Sequence, residues 1–482
     1  MRKIVFLPLV LALVVTTHAE QELRTEETKN AAVSSIDRQA ETLVGLSDQV
    51  WGFAEIALEE SRSAALLADH AEAAGFRVQR GVAGMPTAFI AEYGQGKPII
   101  GILGEFDALP RLSQVSATEQ KALVDGAAGH GCGHNLFGTA SLGAAIAVKE
   151  LLASGALNGT LRFYGTPAEE AISGKTYMAR AGLFDDLDVA LSWHPNDKLE
   201  IDLSGSQAMF ETVVEFSGKS SHAAADPWNG RSALDGLELF THSINLLREH
   251  VKPTVRMHYT YLDGGGAPNV VPSSASVALW IRDTDMQSVL ALYERVQKMV
   301  QGAALAADVS AELKLISGVY SMLQNRATAK LAHANMQILG GVEFDATDHR
   351  FAKSLQTNMG VAPVGMDGSV QPLNLAPTEM TGGSTDVADV SWIVPTVDIN
   401  VVTAPIDIPW HSWGVVASSG STIGHKGMQY AAKVIAMTAI DLYSSPDALR
   451  AIAAEFNAAR SDFEYKAYVP EGPPPIPITI DE

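Results

Sequence analysis

The sequence predicts an α/β fold: a catalytic domain with a largely parallel mixed sheet flanked by helices, interrupted by an inserted ferredoxin-like (βαββαβ) domain. Three observations predict it. From about residue 87 short apolar runs alternate with helical stretches, the texture of strands and crossover helices in a parallel sheet. The segment 208–319 instead reads strand, helix, strand, strand, helix, strand, the order of a ferredoxin-like unit. The first texture resumes near residue 325, and 482 residues exceed one ordinary core, so the second unit is read as an insertion.

Taken in order, residues 1–19 read as a secretory signal peptide. Arg2 and Lys3 precede an apolar run from Ile4 to Val15, with small residues at Thr17 and Ala19 near the expected cut. That run is short against the roughly 20 residues that span a bilayer, and no later segment reads as a span. Export, periplasmic or secreted, is therefore expected, with no stable membrane span after cleavage. Residues 20–32 are polar and expected to be loose. Two helical patterns over 35–76 open the first part of the catalytic domain, 35–207. Its strands are expected at Ile99 to Leu103, Leu161 to Tyr164 and Val189 to Trp193, with a helix from about Thr139 to Leu152. The inserted domain occupies 208–320, with strands at 208–217, 254–262, 275–283 and 310–319 and helices at 231–248 and 286–303. The second part of the catalytic domain, 325–465, holds a strand at Val397 to Val402. A Pro-rich tail, 469–482, excludes regular structure.

Composition narrows the function. Hydrophobic residues at 47% and charged residues at 18% are globular usage. Asp and Glu outnumber Lys and Arg by 55 to 34, and a net charge of −21 repels polyphosphates and anionic lipid, which argues against nucleic acid as a partner. The single cysteine, Cys132, excludes an intramolecular disulfide and leaves a thiol that is either buried and inert or available as a ligand.

In open α/β sheets ligands bind beyond the carboxyl ends of the strands. Here those ends are polar: Glu105 and Asp107 follow the first run, Glu169 and Glu170 the second, His194 and Pro195 the third, and Trp410-His411 the last. Between them lies Gly-His130-Gly-Cys132-Gly-His134-Asn135. Read as an extended segment, Cys132 and His134 face one side, and thiolate with imidazole suits a borderline ion such as Zn²⁺. Adding Glu170, His194 and His411 gives five ligands, more than one tetrahedral ion needs and suited to two ions. Adjacent Glu169 and Glu170 divide the work, one binding metal and the other moving a proton, though the pair alone leaves open which does which. His194 also reads as a core histidine, His411 as a packed surface residue, and His130 as a turn residue. Two rival classes remain, a cysteine-nucleophile hydrolase built on Cys132 and a non-catalytic binding protein.

The motifs Asp-Ala-Leu-Pro, Gly-Cys-Gly-His-Asn, Pro-Ala-Glu-Glu, Ser-His-Ala-Ala, Pro-Asn-Val-Val-Pro and Gly-His-Lys-Gly-Met occur in this order between about residues 35 and 440. Together they resemble the M20 family of metallopeptidases and amidohydrolases, in the branch of hippurate and p-aminobenzoyl-glutamate hydrolases. The resemblance implies two divalent ions, zinc or manganese, held by Cys132, His134, Glu170, His194 and His411, with Glu169 as general base and Asp107 as a supporting carboxylate. It implies hydrolysis of an N-acyl or N-aroyl amino acid or a short peptide, and a homodimer formed through the inserted lid domain. His222 would steady the oxyanion in a neighbouring protomer's site, and Asn269 would help hold a substrate carboxylate, although Asn269 also reads as a residue of a Gly-rich turn. Ser384 and Asp386 would lie on a loop near the site. Two positions depart from much of the family: Glu105 stands where many relatives have a histidine, and Asn135 stands in place of the usual acid.

Overall fold

Runs rich in Val, Ile and aromatic residues, each closed by Gly, Pro or polar residues, form ten strands. In chain order they are β1 (Arg77–Arg80), β2 (Phe89–Gly94), β3 (Ile99–Glu105), β4 (Thr160–Thr166), β5 (Val189–Asn196), β6 (Ala208–Ser217), β7 (Arg256–Asp263), β8 (Ser274–Asp283), β9 (Ser310–Val319) and β10 (Thr396–Val402). The computed structural model describes residues 8–376 and 383–475. The start of the expected signal peptide, 1–7, and the end of the Pro-rich tail, 476–482, lie outside the described residues.

The larger sheet has the order β1-β2-β4-β3-β5-β10. Strands β4, β3, β5 and β10 run parallel, while β1 and β2 pair antiparallel at one edge, so the sheet is mixed but mostly parallel as expected. Successive side chains serve opposite faces. Ile102, Phe163 and Leu191 join one core; their neighbours Leu103, Tyr164 and Ala190 join the other. The helix His134–Ala153 fills the first core, beginning five residues before the expected start. It is long and apolar enough to cross a membrane, contrary to the expectation from sequence, yet 78% of that window is buried inside the protein. Gly138 lets it touch the sheet, because a Cβ there would lie 2.6 Å from the carbonyl oxygen of Glu105.

Residues 20–32, expected to be loose, lie instead within one helix, Pro8–Phe53. Tertiary contacts override the polar composition. Ala32, Ile36, Leu43 and Val50 are buried on one face of this helix, in the core shared with His134–Ala153 and Thr422–Ser444. Lys29 lies 2.6 Å from Asp441 and donates to Asn335 at 2.8 Å.

The inserted unit is antiparallel throughout, with the order β7-β8-β6-β9. Helices Ala233–Leu247 and Met286–Ala307, capped by Ser232 and Asp285, bury Phe240, Ile244, Val289 and Val296 against Phe216, Val277, Leu279 and Ile281. The alternate residues Trp280 and Arg282 on β8, with Met209 and Glu211 opposite them on β6, line a cavity shared with the catalytic domain.

Candidate metal centre

The parallel strands deliver their terminal carboxylates and imidazole to one edge. Glu105 ends β3 and is fully buried; its Oε2 lies 3.0 Å from His134 Nε2 and 3.5 Å from His194 Nε2. Asp107 bridges two of the expected residues, with Oδ1 3.0 Å from His134 Nδ1 and Oδ2 accepting the amide of Glu170 at 2.9 Å. His194, near the end of β5, points Nδ1 at Asp398 Oδ2 of the neighbouring β10, 3.0 Å away. His411 reaches the group from a loop, its Nε2 3.4 Å from Glu170 Oε2.

Cys132 and His134 share the site for a reason different from an extended segment. Gly133 is left-handed (φ 78°), and His134 is already the first residue of the helix, so a tight turn brings thiol and imidazole together. Ligand atoms of Cys132, His134 and Glu170 fall within 4.8 Å of one another, as do those of Glu105, His134 and His194. The donor set fits divalent ions: His134 Nε2 and Glu170 Oε1 are sealed from solvent without a hydrogen-bond partner, and both imidazoles that engage Asp107 and Asp398 through Nδ1 keep Nε2 free to ligate.

Electrostatics in the metal-free protein show how much charge the site concentrates. Burial pushes the Cys132 thiol up to about 11 and Glu170 up to about 7. Burial, then the charges of Glu105, Glu170 and Asp386, raise Glu169 well above the usual carboxylate range. Burial also opposes ionisation of Glu105, but the Lys175 ammonium and the imidazoles of His134 and His194 hold it well below its ordinary value. Lys175 is itself fully buried, with Nζ 2.5 Å from Glu105 and 2.6 Å from Asp386.

The remaining expected residues divide. Ser384 lines the cavity with a buried, unpartnered hydroxyl, and Asp386 binds Lys175. His130 turns away, its Nε2 3.0 Å from the carbonyl of Val50, and Asn135 donates to Ser47 and to the Ser419 carbonyl, so both brace the fold. His222 and Asn269 are exposed on adjacent lid loops, joined by the Ala223 amide on the Asn269 carbonyl at 3.0 Å, and neither lines the cavity of its own chain.

Sequence reasoning passes over Lys175, Asp398 and Arg282 and treats Glu105 only as a missing histidine. A lone acid inside the apolar run of β10 marks Asp398, and a cation alternating with buried residues in β8 marks Arg282; nothing local marks Lys175. The cavity they complete, about 470 Å³, is lined by Cys132, Glu169, Glu170, His194 and His411 from one domain and Glu211, Trp280 and Arg282 from the other.

Comparison with known proteins agrees with this geometry. Residues 101–399 match the model of peptidase family M20/M25/M40. The chain is 38% identical over 468 residues to one of the two polypeptides of the p-aminobenzoyl-glutamate hydrolase of Escherichia coli (strain K12), covering 92% of this chain and 97% of that protein. It is 30% identical over 441 residues to the Xaa-Arg dipeptidase of Mus musculus, covering 89% and 92%. Its fold is similar to that of a dinuclear metal-binding M20 peptidase from Bacillus subtilis, with a TM-score of 0.57 at 18% identity, covering 84% of this chain and 99% of the other. The strand-end carboxylates and imidazoles, the inserted βαββαβ domain and these matches lead to one conclusion: the chain belongs to peptidase family M20/M25/M40 and is a metal-dependent hydrolase of amide bonds.

Proposed function

We propose that the enzyme cleaves the amide bond of N-acyl or N-aroyl amino acids, of the p-aminobenzoyl-glutamate type, or of short peptides with a free carboxylate. Arg282 carries this reading. Its guanidinium lines the same cavity as Glu169 and Glu170, and its Nε is buried without a hydrogen-bond partner, which suits a substrate carboxylate. A second reading, a dipeptidase for basic residues, is favoured by Asp202 and Glu211 on the cavity wall and by the similarity to the Xaa-Arg dipeptidase.

Cys132, His134, Glu170, His194 and His411 would hold two divalent ions, zinc or manganese, which when bound polarise the amide carbonyl and acidify water. Glu169, with its raised proton affinity, takes the proton of the attacking water and returns it to the leaving nitrogen. Asp107 and Asp398 keep the imidazoles of His134 and His194 in the ligating orientation. His222 and Asn269, exposed in their own chain, complete the site of a partner in a homodimer formed through the lid, His222 at the oxyanion and Asn269 at the carboxylate. Export of the chain is supported by the basic and apolar pattern of its first residues; N-terminal sequencing of the protein from separated cell fractions tests it.

The deciding experiment is turnover of a panel of N-acyl amino acids and dipeptides, each with a free and an amidated carboxyl end, by enzyme of measured metal content. Acyl-amino acids with free carboxylates are expected to be cleaved and their amides spared, with chelation abolishing both. Preference for basic dipeptides favours the second reading. Activity that survives complete metal removal returns Cys132 to the role of nucleophile.

A further inference from the structure

The loop that carries Glu169 and Glu170 is held in a conformation its residues do not favour. Three non-glycine residues in it have positive φ: Ala168 at 60°, Ile172 at 78° and Ser173 at 63°. The left-handed region costs roughly 1–2 kcal/mol per residue, and it is rarest for a β-branched side chain such as Ile172. Such backbone persists only where its surroundings impose it.

Here the surroundings are four carboxylates, each accepting a backbone N–H of the loop or of the helix that follows. Glu60 Oε1 accepts from Ala168 at 2.9 Å, Asp107 Oδ2 from Glu170 at 2.9 Å, Glu211 from Ile172, and Asp386 Oδ2 from Lys175 at 2.7 Å. Three of the four have other work: Asp107 engages His134, Asp386 engages Lys175, and Glu211 lines the cavity. Glu60 does not line the cavity. It is fully buried at the start of the helix Ser61–Ala73, and its second oxygen accepts only the Thr87 hydroxyl, at 3.1 Å.

We propose that Glu60 is a positioning residue whose hydrogen bond to the Ala168 amide fixes the left-handed turn one residue before Glu169, and thereby aims both the base and the adjoining ligand Glu170. A buried carboxyl is costly unless its partner returns that cost. The Ala168 amide and the Thr87 hydroxyl return it only in the turned loop, so the two features support each other. The inference rests on the roles given above to Glu169 and Glu170.

The test uses Glu60→Met, which keeps length and apolar volume but removes the acceptor, beside Glu60→Gln, which keeps an acceptor oxygen. Titration with Co²⁺ alone, followed by the absorption of the Cys132 thiolate on cobalt, reports the site without any substrate. Glu60→Met is expected to weaken Co²⁺ binding by ~10–100-fold, the usual effect of losing a partner that orients a ligand. It should also lower kcat by ~10–100-fold on the best substrate of the panel, with KM changed less than about threefold. Glu60→Gln should restore both. Adding Ala168→Gly to Glu60→Met should recover part of the loss, because glycine adopts positive φ without the hydrogen bond; that double variant carries the comparison even if Glu60→Met alone does not fold. Wild-type Co²⁺ affinity in Glu60→Met, equal damage in Glu60→Gln, or no recovery on adding glycine overturns the proposal. A wild-type protein that binds no Co²⁺ overturns the reading of the metal centre itself, which separates the two failures.

Discussion

The two walls of the cleft are built on different terms. On the catalytic wall the central side chains are braced by second partners: Asp107 behind His134 and the Glu170 amide, Asp398 behind His194, and Lys175 between Glu105 and Asp386. On the lid wall Arg282 presents an unpartnered Nε, while His222 and Asn269 stand in solvent. The difference teaches where preorganisation ends. Groups that act on charge forming in the reaction are fixed before substrate arrives, at the expense of crowding like charges. Groups that recognise the substrate are left to be completed by it, or by a second copy of the chain.

This contrast can be broken or sharpened by substitution. The largest effect belongs to the braced wall: Glu169→Gln is expected to lower turnover by ~10²–10⁴-fold while metal content stays at the wild-type level, and a loss of only a few-fold would move the base elsewhere. Asp398→Asn should weaken the first-bound ion by ~10–100-fold in competition with a chromophoric chelator, since Nδ1 of His194 loses its charged partner. On the open wall, Arg282→Met should cost roughly 10–100-fold in kcat/KM for free carboxylates, the worth of a hydrogen bond to a charged group. Amidated substrates should not notice the change, and an equal loss on both would remove Arg282 from recognition. If His222 serves a partner's site, mixing two inactive proteins, Glu169→Gln and His222→Ala, restores activity that neither has alone; no recovery on mixing places His222 outside the reaction.

The smallest effect near neutrality is one of stability. Burial lowers His130 to about 4, below its value of about 6.5 in an unfolded chain. As pH falls the unfolded chain takes up this proton first, so the stabilisation is complete above about pH 6.5 and lost on the way to pH 4. Its loss is about 1 kcal/mol at pH 6 and about 3 kcal/mol at pH 4. Denaturant melts of metal-free protein should show that limb, and His130→Gln should flatten it.

The residues legible in the sequence are those set by strand geometry. A polar residue straight after an apolar run must emerge at the sheet edge, which is how Asp107, Glu169, Glu170 and His194 can be placed, and the period-two pattern of β6 to β9 yields the inserted unit in its observed order. What stays hidden depends on contacts distant in the chain. Lys175 belongs to the site only because Glu105 and Asp386 converge on it from 70 and 211 residues away. The polar segment 20–32 becomes helical because Lys29 finds Asp441. The pairing of Cys132 with His134 is legible, but its cause, the left-handed Gly133, is a backbone state that no side-chain pattern announces.

The helix Pro8–Phe53 also marks how short a working chain can be. Its distal end donates the Trp51 indole to the Val416 carbonyl, and it offers the Val50 carbonyl to His130 and the Ser47 hydroxyl to Asn135, on either side of Cys132. A recombinant chain that starts at residue 23 keeps these struts under the cysteine turn. One that starts at residue 55, although it retains every proposed ligand, leaves two buried polar side chains flanking that turn without support. Tags and fusions therefore belong ahead of this rod, and trimming into it is expected to cost metal before it costs the fold.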